Sequence, residues 1–174
     1  MITSRADFTT RLMVANGLVV SKLCYLIELW GGCEGYLLHS LQVILNRAAR
    51  SVTKMSGYTS TKSLMAACSW LSVKQLVVYH TVKMVFKTLK TESPCYLHDR
   101  LTPTPHPIST RQSTTGGIRQ DESYRCRSTI KSDSMRYRGT MDYNRLPADI
   151  RTCSSLATFK RKLKQWVRVN VDLV

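Results

Sequence analysis

Apolar residues in roughly the first ninety positions recur every three or four residues, which is the spacing of one face of an α-helix. Residues 12–30 follow this spacing and meet the helix-breaking pair Gly31 and Gly32, so we expect a buried amphipathic helix there. A membrane-spanning helix is the alternative for this stretch, but Lys22 and Glu28 interrupt it, and such charges cost about 3 kcal/mol each inside a bilayer. The face expected to be buried comprises Leu12, Ala15, Leu18, Val19, Leu23, Leu26, Leu29 and Trp30.

A second helix is predicted from Glu34 to Lys54. Arg47, Arg50 and Lys54 follow one another at intervals of three and four positions, so the three cations share a face. The neighbouring, buried face is expected to comprise Leu37, Leu41, Ile44, Ala48 and Val52. The pattern therefore predicts a long helix with one apolar and one cationic side.

Two further helices are predicted before Pro94, a short one over residues 63–67 and a long one ending near Lys90. Ser72 and Gln75 have the spacing of a capping box, which marks the start of the long helix. Its β-branched residues also suit a strand, but its length of about 18 residues favours a helix. Its broad apolar surface, which predicts a central position, comprises Val77, Val78, Val82, Val85, Phe86 and Leu89. A single helical turn is expected over residues 96–101.

Residues 102–134 are about half Ser, Thr, Gly and Pro, which is typical of a linker or a long loop. Short strands over residues 124–130 and 134–137 are also compatible with the pattern. Beyond this stretch, Pro147 is expected to start one helical turn, and Ser155 to cap a final helix. The apolar stripe of that helix comprises Leu156, Phe159, Leu163, Trp166 and Val167. Its opposite face carries Lys160, Arg161, Lys162, Lys164 and Arg168.

These elements predict a mainly α-helical fold in three parts. A helical unit covers residues 8–101, a flexible Ser/Thr/Pro-rich linker covers 102–134, and a short C-terminal helical segment that can dock back covers 135–170. A hydrophobic fraction of 43% excludes wholesale disorder, and a length of 174 residues excludes a large multidomain enzyme.

Charge points to the class of partner. The chain has 26 Lys and Arg residues against 11 Asp and Glu residues, a formal net charge of +15. This excess is larger than a small domain needs for solubility, which is about 2 to 8 charges. A phosphate-bearing polymer is therefore the first expected partner and an anionic membrane surface the second.

Candidate chemistry is sparse. The nucleotide-binding, zinc-protease and serine-hydrolase motifs are absent from the sequence, and no two aspartates are adjacent. Asp121 and Glu122 form the only acidic doublet, and we interpret it as a solvated loop charge. Cys95 and His98 form one close pair with metal-ligand spacing, whereas a structural zinc site usually needs two such pairs, and the downstream His106 and Cys126 do not form one. We expect no metal, no cofactor and no small-molecule substrate.

The six cysteines are widely and irregularly spaced, and the N-terminus lacks the basic-then-apolar order of a signal peptide. We therefore expect reduced thiols and a location in the nucleus or cytoplasm.

Ten short segments, taken in order and at their spacing, carry a resemblance to a known family. They are residues 25–31 (YLIELWG), 41–50 (LQVILNRAAR), 70–73 (WLSV), 79–80, 86–87, 94–97 (PCYL), 137–139 (YRG), 143–147 (YNRLP), 150–151 and 159–164 (FKRKLK). They resemble the end of jockey-like non-LTR (LINE-type) retrotransposon reverse transcriptases, with its "LQ…QNRA.R" helix, its "P-x-Y-L" turn and its "YRG…WN-LP..IR…FK..LK" ending. Tyr143 stands where that family usually has Trp, and Leu45, just before Asn46, stands where it tends to have Gln.

The resemblance implies the thumb and post-thumb region, downstream of the fingers and palm. The family is an RNA-directed DNA polymerase, and no residue of this chain matches its aromatic-x-Asp-Asp palm motif or its endonuclease. We therefore expect the chain itself not to be an enzyme.

A thumb contacts template–primer duplex through its phosphates, so we expect a non-catalytic nucleic-acid-binding fragment. Its partners would be RNA, DNA or an RNA–DNA hybrid, together with the missing palm, and no membrane. The expected contact residues are Arg47, Arg50, Lys54, Lys160, Arg161, Lys162, Lys164 and Arg168. The alternative is a relic open reading frame that acts only as a helical interaction module, without a nucleic-acid function.

Overall fold

The computed structural model describes residues 6–101, 118 and 134–171, and every regular element within these ranges is helical. The elements are α1 (Phe8–Ala15), a π-helical turn (Asn16–Val20), α2 (Ser21–Cys24), α3 (Ile27–Trp30), α4 (Gly35–Thr53), α5 (Thr61–Cys68), α6 (Val73–Thr91), α7 (Cys95–Leu101), α8 (Met135–Asn144), α9 (Ala148–Arg151) and α10 (Leu156–Asn170). The predicted mainly α-helical fold is confirmed. None of the helices in these ranges combines the length and the apolarity that crossing a bilayer requires.

Residues 12–30 do not form the single buried helix that their spacing predicts. The chain breaks after α2, where Leu26 adopts a left-handed conformation with φ of 49°. Leu18 and Leu29 are 69% and 68% exposed, whereas Ile27 is fully buried. The break turns α3 so that Ile27 packs with Leu71, Leu76 and Val77. This contact with α6 replaces the continuous stripe.

Helix α4 has nearly the predicted bounds, but its buried face is different. Leu37 and Ile44 are exposed, and the face that packs inward comprises Gln42, Leu45, Asn46, Ala49 and Val52. The cause is a ladder of buried amides. Gln42 donates from Nε2 to Asn46 Oδ1 at 2.8 Å, and Asn46 donates from Nδ2 to Thr61 Oγ1 at 3.0 Å.

Helix α6 is central, as its broad apolar surface predicts. Ser72 and Gln75 form the predicted capping box, in which Ser72 Oγ accepts from the Gln75 N–H and Gln75 Oε1 accepts from the Ser72 N–H. α6 packs against α3, α4, α7, α8 and α10. Its C-terminal half contributes Val82, Val85 and Phe86 to the largest apolar core, which α8, α9 and α10 complete.

The C-terminal segment docks on α6. The expectation of a short strand over residues 134–137 is wrong, because α8 begins at Met135 with Ser134 as its N-cap. Gly139 lets α8 approach α6 closely. The final helix, α10, runs antiparallel to α6, since Phe159 stacks on Phe86 with ring centroids 3.7 Å apart and Gln75 Nε2 donates to Val171 O at 3.0 Å.

Most of the predicted linker 102–134, including the alternative strand over 124–130, lies outside the described residues. Ile118 is described and is buried in the core of α6 and the C-terminal helices. Its N–H donates to Asn144 Oδ1 at 2.8 Å, and its carbonyl oxygen accepts from Asn144 Nδ2 at 2.6 Å. One point of this stretch is therefore held against α8.

Candidate nucleic-acid interface

Helix α10 presents the densest group of predicted contact residues. Ser155 caps its first turn by accepting from the Ala157 N–H at 3.2 Å. Phe159, Leu163 and Val167 follow at intervals of four residues and are fully buried against the core. This spacing places the intervening cations outside the buried stripe of the helix.

The structure divides the five predicted α10 cations into two groups. Lys160, Arg161 and Lys164 are exposed and have no hydrogen-bond or ion-pair partner within the described part of the chain. We refer to these three as the exposed α10 cations. Lys162 instead contacts Asp149, with Nζ 3.3 Å from the backbone oxygen and 3.9 Å from Oδ2. Arg168 donates from Nη2 to Ser69 O at 3.0 Å. The last two therefore hold α10 to α9 and to the end of α5.

Lys83 of α6, which the sequence analysis did not single out, lies near Lys160 of α10, and Lys87 follows Lys83 one turn later on α6. Burial lowers the pKa of Lys83, and the positive charges of Lys160 and Lys87 lower it further, while Glu28 opposes the change. These charges are thus close enough to act on one another. Lys83 and Lys87 are four residues apart, a spacing that places both on one face of a helix. The sequence analysis did not use this spacing, because most of the other residues of α6 are apolar.

The predicted α4 cations lie on a different face of the molecule. Arg47 is exposed on the side of α4 opposite Leu45 and Ala49, which are buried, and exposed Lys54 directly follows the helix in a left-handed conformation with φ of 57°. Arg50 is half-buried, and its Nη2 lies 3.5 Å from Thr59 O. Since α4 meets α6 through its inner side, the structure does not bring the α4 cations together with those of α10.

Acidic residues are missing from the helices that carry the cations. The described helices α4, α6 and α10 contain Lys and Arg but no Asp or Glu. Surfaces of ordinary soluble domains intersperse both signs. Helices of a single sign attract polyanions and raise their local concentration.

Comparisons with protein-family models, with curated proteins and with solved structures give no match. The resemblance to LINE-type reverse transcriptases therefore stays a prediction. Several residues that carry it have packing roles in this fold. Gln42 and Asn46 form the buried amide ladder, and Ala49 is fully buried beside them.

Of the histidines of the two long helices, His80 acts on this surface only through Lys83. His80 is half-buried, and Lys83 Nζ lies 3.0 Å from its Nδ1. Burial lowers the pKa of His80, and the charge of Lys83 adds to this effect, while Glu28 at 3.7 Å opposes it. A neutral His80 can accept a hydrogen bond from the Lys83 ammonium group, so it orients this lysine. His39 is exposed on α4.

Within the described residues there is no group of three or more His, Cys, Asp or Glu side chains with metal-binding geometry. Of the predicted metal-ligand candidates, Cys95 is exposed at the start of α7 and His98 Nδ1 lies 3.7 Å from Asp99 Oδ1. His106 and Cys126 lie outside the described residues.

Proposed function

We propose that this chain is a non-catalytic nucleic-acid-binding piece of a LINE-type reverse transcriptase, acting through phosphate contacts of α10. The family assignment is supported by the ordered sequence segments described above. The proposal places the chain in the nucleus or cytoplasm, where its nucleic-acid partners are, and assigns it no reaction of its own.

The proposal rests on the separation of a buried apolar side and an exposed cationic side on α10. One side of this helix is buried through Phe159 and Leu163, which fixes its position on α6. The other side presents the exposed α10 cations on a rigid element without a nearby acidic residue in the helix. Cations held in this way neutralise phosphates and release counterions, with little dependence on base sequence.

Lys83, which lies near Lys160, extends this surface from α10 onto α6, where Lys87 follows one turn later. The mutual repulsion of Lys83, Lys87 and Lys160 is unfavourable in the isolated protein. A phosphate placed among them would relieve it. The α4 cations Arg47 and Lys54 would form a second and separate contact surface.

A helical interaction module without nucleic-acid function is the alternative, and exposed apolar residues favour it. Large apolar side chains on the first third of the chain are left uncovered, among them Met13, Leu18, Tyr25, Leu29 and Tyr36. Apolar surfaces of this kind mark protein contacts. The same surface would suit the palm of a parent polymerase.

A salt series of binding to a labelled RNA–DNA hybrid tests the proposal. The variant Lys160→Gln/Arg161→Gln/Lys164→Gln removes the exposed α10 cations. The control Lys22→Gln/Lys62→Gln/Arg100→Gln removes three exposed cations of other helices and gives the same net charge. We expect log affinity to fall linearly with log salt, and the α10 variant to reduce the slope by about 2 to 3, since each phosphate contact contributes about 0.9.

Equal slopes for the α10 variant and its control would mean that only net charge matters, which contradicts a dedicated surface. Absence of binding by the unaltered chain at about 50 mM salt would overturn the nucleic-acid function. The interaction-module alternative would then account for the exposed apolar residues. A further arm, Arg47→Gln/Lys54→Gln, shows whether the outer face of α4 contributes.

A further inference from the structure

An apolar hollow of about 160 Å³ opens to solvent beside the exposed α10 cations. It lies where five segments of the chain meet: the π-helical turn, α4, the connection from α5 to α6, α6 itself and α10. The residues that shape it are Val20, Leu45, Trp70, Leu76, Tyr79 and Lys164.

The wall formed by the α5–α6 connection is held in place by backbone hydrogen bonds. Ser69 adopts a left-handed conformation with φ of 55°, which ends α5. The Trp70 N–H donates to Met65 O at 2.9 Å, and Arg168 Nη2 donates to Ser69 O at 3.0 Å. Because α10 clamps this connection, the hollow is preformed, which lowers the entropy lost on binding.

The lining has the chemistry of a site for a flat ring. Trp70 and Tyr79 supply aromatic surface, and Val20, Leu45 and Leu76 supply aliphatic surface. A cavity of about 150 Å³ accommodates a single benzene ring. The volume therefore suits one planar ring.

The positive charges beside the hollow indicate which class of ring-bearing molecule it would bind. Lys164 belongs both to the lining of the hollow and to the exposed α10 cations. Lys160 and Arg161 precede it on the same helix, and α10 has no acidic residue. An apolar side chain of a protein would leave these cations unused, whereas a nucleotide presents an anionic phosphate beside its planar base.

We propose that this hollow binds the base of one unpaired nucleotide, with the adjoining phosphate against Lys164. This inference rests on the proposed nucleic-acid function and adds a site for a single base to a surface that otherwise contacts only phosphates. The base packs between the aromatic and aliphatic walls of the hollow. The nucleotide is either part of a nucleic-acid strand or free.

Three hybrids test this inference: a blunt RNA–DNA duplex, the same duplex with one unpaired deoxyadenosine at an end, and the same duplex with an abasic residue there. All three share the phosphates of the duplex, the second and third also share the phosphate of the extra residue, and only the second offers an unpaired base. We expect the unpaired base to tighten binding about tenfold over the abasic residue, as stacking of one base on aromatic side chains does.

Two variants locate the effect. Val20→Phe adds a ring to the wall of the hollow and so fills it, and the base should then no longer tighten binding while the affinity for the abasic duplex stays unchanged. Trp70→Phe leaves a smaller aromatic wall, so we expect a several-fold smaller gain from the base. The unchanged affinity for the abasic duplex serves as the test that each variant is folded.

Free nucleotides provide the second arm. Adenosine monophosphate should quench tryptophan fluorescence more strongly than adenosine at equal concentration, and Lys164→Gln should remove that difference. Val20→Phe should abolish quenching by both.

The outcomes separate this inference from the proposed function. If the hybrids bind but base and abasic residue give equal affinity, the base site is overturned, the phosphate surface stands and the hollow is left to an apolar side chain of a protein. If no hybrid binds but adenosine monophosphate quenches and Val20→Phe prevents it, the site stands as one for free nucleotides and the proposed function fails. Absence of both signals overturns both.

Discussion

At the scale of single residues, buried amides decide how α4 faces the core. The periodicity of the apolar residues predicted that Leu37 and Ile44 are buried, because Gln and Asn were expected to face solvent. In the fold, Gln42 Oε1 accepts from the Val73 N–H at 2.8 Å, and this N–H belongs to the first turn of α6. A side chain that pairs with another helix has no periodic signature, so the orientation of α4 could not be predicted from its own pattern.

Replacing Gln42 should therefore lower the free energy of unfolding by more than the replacement of an exposed polar residue does. Gln42→Ala removes the partner of the Val73 N–H and leaves Asn46 Oδ1 unsatisfied in a buried position. We expect a loss of about 2 to 3 kcal/mol in the free energy of unfolding, measured by urea denaturation. Gln165→Ala, at an exposed position of α10, is the matched control and should change it by less than about 0.5 kcal/mol. Similar losses for both variants would contradict the role of the amide ladder.

The candidate site was partly predictable at this scale. Spacing alone placed Lys160, Arg161 and Lys164 on the outer face of α10, and the structure agrees. The contacts of Lys162 with Asp149 and of Arg168 with Ser69 could not be predicted. They join residues 13 and 99 positions apart in the chain, and no local pattern records such pairs.

At the scale of elements, strong apolar periodicity predicted the bounds of α4 and α6 within a residue or two and the start of α10, whereas α8 was not predicted. The sequence of α8 is polar, and the residues it buries are Gly139, Thr140 and Tyr143. A helix that packs through glycine and threonine has no apolar stripe to detect. Its close approach to α6 depends on the missing side chain of Gly139, where an added Cβ would lie 2.9 Å from Val85 Cγ2 and 3.3 Å from Thr81 Cγ2.

The packing of α8 on α6 predicts opposite effects for two glycine substitutions. Gly139→Ala should lower the free energy of unfolding by about 1 to 2 kcal/mol, because overpacking outweighs the gain in helix propensity. Gly17→Ala, in the π-helical turn, meets no atom within 4 Å and should leave stability unchanged or raise it by up to about 1 kcal/mol. Thermal unfolding followed by circular dichroism checks both. A stabilised Gly139→Ala variant would show that α8 does not pack closely on α6.

At the scale of the whole molecule, α6 belongs to two sets of contacts. Its N-terminal half packs with α3 and α4, and its C-terminal half forms a core with α8, α9 and α10. The sequence suggested a helical unit over 8–101 and a C-terminal segment over 135–170. The C-terminal segment docks on α6 through contacts such as the one between Phe86 and Phe159. These residues are far apart in the sequence, so the contact could not be inferred from the pattern of either part alone.

A shared central helix predicts that the two parts unfold together. Tryptophans report on both, since Trp70 lies beside α6 in the first part and Trp166 lies on α10. In single-tryptophan variants, we expect coincident urea transitions for Trp70 and Trp166, and the same midpoint for helical circular dichroism. A transition of Trp166 at clearly lower urea, with Trp70 unchanged, would show that the C-terminal segment is an independent unit.

The position of α6 also has a consequence for biosynthesis. Val82, Val85 and Phe86 emerge from the ribosome well before the helices that cover them, since about 80 residues separate the end of α6 from the end of α10. At about 5 to 20 residues per second, this apolar surface stays uncovered on the nascent chain for about 4 to 16 seconds. Chaperones that recognise exposed apolar segments have time to bind to this surface. Synonymous codons that slow translation between α7 and α8 would lengthen the time for which it is exposed and would lower the yield of folded protein.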